Sequence, residues 1–157
     1  MTWSDPNLQP IIDQAKEMIE DYFNCRVTAQ IFLCELEELQ NQMIDEFKET
    51  LITNLDREIF HYTIENIEGR FIKNRNEIWL VNQKGDNLET IIHEYIHSIQ
   101  KCTHHRENIV KFLTYKLTQK ENVIEEGMLN EWLEIEKQEG LEKIKDRILK
   151  SGDCEEF

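Results

Sequence analysis

The chain reads as α+β, a small mixed sheet of three to four strands with helices before, between and after the strands. Three observations carry that expectation. Only five Gly and two Pro punctuate 157 residues, which favours helices over a turn-rich all-β fold. Apolar residues recur at helical spacing over most of the sequence and at alternate positions in a few short stretches. The length suits one domain with a core of its own. No internal repeat, low-complexity linker or boundary divides it, so residues 1–157 are taken as a single domain.

The elements follow in order. Ser4-Asp5-Pro6 offers a helix cap with Pro at the first helical position. Leu8, Ile11, Ile12, Ala15, Ile19, Tyr22 and Phe23 then predict an amphipathic helix to about Asn24. Val27, Ala29, Ile31 and Leu33 alternate with Thr28, Gln30 and Phe32, which predicts a strand over Arg26–Cys34. A helix over Glu35–Asn54 carries the stripe Leu36, Leu39, Met43, Phe47 and Leu51. Alternation around Phe60, Tyr62 and Ile64 predicts a strand over Ile59–Ile67, with a turn at Glu68-Gly69. Two short strands, Arg70–Lys73 and Glu77–Asn82, flank Asn74-Arg75-Asn76. Asp86 and Glu89 have capping-box spacing, so a helix should begin near Asn87 and reach about Lys101. Helices over Arg106–Gln119, Asn122–Glu139 and Leu141–Lys150 complete the chain.

Composition narrows the function classes. The chain is 39% hydrophobic and 32% charged, with a formal charge of −14. That charge argues against a nucleic-acid partner, because gripping phosphates needs an excess of Lys and Arg. The acidity reads first as solubility, and second as a surface for a basic partner. Met1–Asp13 has neither a basic start nor a continuous apolar run, and no segment approaches the roughly 20 apolar residues that span a bilayer. The expectation is a soluble cytoplasmic protein with no membrane partner. Cys25, Cys34, Cys102 and Cys154 have no CxxC spacing, so they are read as free thiols rather than a zinc site.

Residues 93–97 read His93-Glu94-Tyr95-Ile96-His97, an HExxH motif. On a helix, positions i and i+4 share a face. Two imidazoles there can converge on one tetrahedral ion at about 2.0–2.1 Å. Glu94, rotated to the side of that face, can reach a metal-bound water without being a ligand, where a general base belongs. Leu88, Ile91, Ile92, Tyr95, Ile96 and Ile99 can anchor such a helix in a core. The alternative is a helix with two surface histidines and an unrelated glutamate.

A hydrolytic zinc site has three protein ligands and one open position. The metzincin pattern HExxHxxGxxH fails, since Gln100 stands at the glycine and Thr103 at the third histidine, with His104 one place too late. Downstream lies Val123-Ile124-Glu125-Glu126-Gly127-Met128-Leu129-Asn130-Glu131-Trp132. With this segment the sequence resembles the gluzincins, whose HExxH helix is followed by a helix carrying a glutamate ligand. The match spans roughly Glu58–Ile135, and the small size is most similar to the single-domain minigluzincins.

That resemblance implies a zincin-like fold and a zinc-dependent peptidase acting on a peptide or protein substrate. It implies Zn²⁺ held by His93, His97 and Glu126, with Glu94 as general base. It makes Asn130 the acceptor that orients a ligating histidine, in place of an aspartate. It also makes Glu77–Asn82 the edge strand along which substrate lies. Independently of it, Val123, Ile124, Met128, Trp132 and Ile135 form an apolar stripe with Glu126 near its border, and Gly127 is read as serving close packing or substrate access. Tyr95, Tyr115, His61, His104 and His105 are candidates to stabilise an oxyanion, with Tyr95 expected to pack inward. Two other readings stand beside the peptidase: a latent site blocked by the tail Ser151–Phe157 or by self-association, and an acidic, non-enzymatic binding module.

Overall fold

The computed structural model describes residues 2–3, 6–50, 54–102 and 106–152. It is α+β, with a four-stranded mixed sheet in the order β1 (Thr2–Trp3), β2 (Gln30–Cys34), β4 (Glu77–Val81) and β3 (Gly69–Ile72). β2 and β4 run parallel, Ile31 opposite Ile78 and Leu33 opposite Leu80, while β1 and β3 add antiparallel on either side. The helices are α1 (Gln9–Phe23), α2 (Leu36–Phe47), α3 (Asn54–Glu65), α4 (Leu88–Ile99), α5 (Arg106–Thr118), α6 (Glu126–Glu139) and α7 (Leu141–Leu149).

The two central strands are covered on both faces, which is why QIFLC and EIWLV are almost continuously apolar. Ile31, Leu33, Ile78 and Leu80 point into the larger core, shared with α1, α4, α5, α6 and α7. Phe32, Cys34, Trp79 and Val81 point the other way, into a smaller core closed by α2 and α3. A parallel pair needs a long crossover, and here α2, α3 and β3 supply it.

Most of the expected elements form, but the helix expected from Asn122 begins only at Glu126, after a short 3₁₀ turn at Glu121–Val123. Residues 59–65 are helical, not extended, and belong to α3. Phe60, Ile64 and Ile67 reach the smaller core at i, i+4 and i+7, whereas Ile59 and Tyr62 are 58% and 73% exposed. A period of four therefore underlies what looked like alternation. The helix expected through Asn54 ends with α2 at Phe47. Glu77–Val81 is not an edge strand: β4 is paired on both sides, and β1 and β3 form the two edges. Cys102 is disulfide-bonded, while Cys25 and Cys34 are free thiols. Cys154 lies outside the described residues, as do Ser4 and Asp5 of the expected first cap. α1 starts later than expected, at Gln9, with Pro10 in its first turn.

Gly85 sets the approach from β4 into α4. Its amide donates to the Val81 carbonyl at 2.7 Å, and the Val81 amide donates to the Glu68 carbonyl at 2.8 Å. A Cβ on Gly85 would lie 1.9 Å from the Glu68 oxygen, so only glycine lets the connection cross the start of β3. Gly127 is the opposite case, with nothing within 4 Å of an added Cβ, so packing does not require it. Gly85→Ala is expected to cost about 2–3 kcal/mol in urea unfolding, and Gly127→Ala to be neutral or stabilising by about 0.5 kcal/mol.

Candidate metal centre

α4 carries the centre because one helix both plugs the core and faces a groove. Asn87 caps it, its side chain accepting from the Thr90 amide at 2.9 Å, so the cap falls one residue after the expected Asp86. Ile91, Ile92, Tyr95 and Ile96 are buried in the larger core. Burial of four such side chains fixes the rotation of the helix about its axis. His93, Glu94 and His97 thereby face a groove of about 1000 Å³ between α4, α5 and β3. The alternative of two surface histidines is excluded, since His97 and Glu94 are each only 6% exposed.

The two imidazoles stand edge to face, with ring centroids 4.8 Å apart and their Nε2 atoms 3.2 Å apart. Glu107, in the first turn of α5, closes a triangle. Its Oε1 lies 2.8 Å from His97 Nε2 and its Oε2 lies 3.2 Å from His93 Nε2. Donors at about 2.0–2.1 Å from a tetrahedral ion sit roughly 3.3–3.4 Å from one another. The two Nε2 atoms are 3.2 Å apart and each faces its own Glu107 oxygen, so one donor atom from each side chain lies within 4.8 Å of the others. Two neutral imidazole nitrogens and one carboxylate oxygen fit zinc, and also other divalent transition metals.

The electrostatics reflect that convergence. Burial would lower the His97 pKa, but the Glu107 carboxylate, Glu94 and the Gln100 side chain together raise it above its ordinary value. Burial would raise the Glu107 pKa, but hydrogen bonds and charge from His93 and His97 hold it well below the usual carboxylate range. Together these groups form a polar cluster with one side open to solvent, the Glu107 side chain being 58% exposed.

His93, Glu94 and His97 are brought together as the motif predicts, but Glu126 is not among them. It is exposed at the first position of α6, it does not line the groove, and its neighbour Glu125 pairs with Lys111 at 3.0 Å. Asn130 is likewise exposed and outside the groove. The partner of His97 Nδ1 is instead the Gln100 Oε1 at 2.9 Å. Tyr95 packs inward, its pKa pushed up to about 12 by burial and then by Asp13 and Glu20. Tyr115 packs against the larger core and His61 is exposed on α3, neither lining the groove. His104 and His105 lie outside the described residues.

Glu107 was legible only weakly. It stands ten residues past His97, after a segment with no glycine turn, and nothing in its local pattern separates it from other acids in this chain. Lys111, one helical turn beyond it, also lines the groove. Gln100 lies just past the end of α4, so no helical spacing announced its contact with His97.

No family model, curated protein or solved structure matches the chain.

Proposed function

We propose that the protein is a metal-dependent peptidase whose ligands are His93, His97 and Glu107, with zinc as the ion and Glu94 as general base. The observation that carries this reading is the convergence of His93, His97 and Glu107 on the wall of a groove, with one donor atom from each within 4.8 Å of the others. Bound there, zinc supplies Lewis acidity and a water acidified towards a pKa of about 7. Glu94 projects from the same helix turn into the groove. From there it takes the proton of the attacking water and returns it to the leaving amine.

The groove also supports a peptide as substrate. Gly69, Arg70 and Phe71 of β3 line it, and β3 is one of the two edge strands of the sheet. An extended chain can add to that edge through backbone hydrogen bonds. Arg70 is held in the wall by both oxygens of Glu46 at 3.1 Å and lies 4.8 Å over the Phe47 ring. The exclusion of nucleic acid rests, as in the sequence, on the charge of −14. No described helix is long and apolar enough to cross a membrane. The cytoplasmic placement belongs to this proposal, and the disulfide at Cys102 is the observation that weighs against it.

The zinc-binding but latent protein is distinguished by turnover, and the acidic binding module by metal content. Purified protein is expected to hold one zinc per chain. Glu107→Gln should weaken zinc binding by more than about 100-fold in chelator competition, while Glu126→Gln should leave it unchanged. The reverse pattern would restore Glu126 as the ligand. Glu94→Gln should keep the zinc and lower cleavage of an unfolded protein substrate by about 10²–10⁴-fold; equal cleavage would remove Glu94 from the chemistry.

A further inference from the structure

His97 makes a second contact that neither the motif nor the groove requires. α4 ends at Ile99, and Gln100 leaves it in an extended conformation at φ −71° and ψ 128°. Its backbone amide donates to the His97 carbonyl at 3.3 Å. That departure folds the Gln100 side chain back under the His97 ring, where Oε1 lies 2.9 Å from Nδ1. The same amide group donates through Nε2 to the Cys102 sulfur at 3.2 Å.

The orientation of the Gln100 amide has a physical cause. A side-chain amide has one donating and one accepting end. Cys102 is disulfide-bonded, so its sulfur carries no hydrogen and can only accept. The NH₂ end therefore faces the sulfur, and the oxygen is left for His97. An oxygen at Nδ1 requires a proton there, and an imidazole protonated at Nδ1 presents the lone pair of Nε2. With the Nδ1 proton held in this way, the Nε2 proton, which faces Glu107 Oε1 at 2.8 Å beside His93 Nε2, is the one that leaves when Nε2 becomes a ligand. The ring is also fixed about its own axis, since rotation would break the 2.9 Å contact and bury Nδ1 without a partner.

We propose that Gln100 is a positioning residue for the metal centre, locking His97 in the Nδ1-protonated tautomer, and that the disulfide sulfur of Cys102 holds the Gln100 amide in the orientation that does so. This rests on the metal reading above and assigns Gln100 the role of the carboxylate or carbonyl that commonly backs a ligating histidine. Gln100 touches neither substrate nor metal in this role.

The test is zinc affinity by chelator competition on the intact chain, with two variants and the melting of the metal-free protein alongside. Gln100→Ala is expected to weaken zinc binding about 10–100-fold while metal-free protein melts as the wild type does. Gln100→Glu keeps an acceptor at Nδ1 and is expected to restore affinity to within about threefold of wild type, as the tighter second-shell acceptors do. In zinc-loaded wild type, long-range nitrogen–proton NMR should place the His97 proton on Nδ1 with slow exchange, and Gln100→Ala should make that exchange fast. Wild-type affinity in Gln100→Ala would overturn the inference. So would a loss of affinity that Gln100→Glu does not rescue and that lower melting of the metal-free variant accompanies. A wild-type protein that binds no zinc would overturn the metal reading itself, and this inference with it.

Discussion

Two ionisable side chains buried within the amphipathic helix α4 form the constraint on which the rest of the structure depends. His97 and Glu94 are each 6% exposed, one and two residues from Ile96 and Ile92, which are fully buried. A polar group taken out of water without partners costs several kcal/mol at most and about 1–3 kcal/mol in typical proteins. The fold answers that cost for His97 at both nitrogens, with Gln100 on one side and Glu107 on the other. Placing Glu107 there requires α5 to begin beside the C-terminal half of α4, and the α5 apolar residues Ile109, Val110, Phe112 and Leu113 anchor it in the same core. Phe112 stacks on Trp132 of α6 with centroids 5.5 Å apart, which carries the arrangement on to the next helix.

The sheet has a matching task. Because β2 and β4 are covered on both faces, they form a rigid middle layer, and the turn through Gly85 passes that rigidity to the start of α4. β3 is one edge of the sheet, close enough to α4 that an added Cβ on Gly69 would lie 3.2 Å from Thr90 Cγ2. The groove is therefore bounded by an element that can pair with an extended chain and by a helix that presents ionisable groups. A stable scaffold with an unpaired sheet edge beside a polar cluster is a general way to hold a flexible ligand near reactive groups.

How much of this the sequence made legible follows from distance along the chain. The HExxH helix, its cap region and its buried face are local, governed by spacing of three and four, and were readable. The misreading of residues 59–65 came from residues that satisfy both periods, since Phe60, Tyr62 and Ile64 alternate while Phe60 and Ile64 also stand four apart. Strand order depends on which strands pair across the crossover, so the edge role passed from β4 to β3 without a local sign. The third member of the metal cluster depends on how α5 docks on α4. Glu126 in its apolar stripe was the better sequence candidate, while Glu107 is the residue the packing delivers. Gln100 was visible only as the residue that ruled out a glycine turn, since its contact with His97 depends on the chain leaving α4 in an extended conformation.

The account stands or falls on where a metal ion sits and what holds it. Crystals grown with zinc and measured at the zinc absorption edge would locate the ion directly. The account predicts anomalous density between His93 Nε2, His97 Nε2 and a Glu107 oxygen, at about 2.0–2.2 Å from each. Density held by Glu126 with Glu107 turned away, or a fully occupied crystal with no ion between the two histidines, would contradict it.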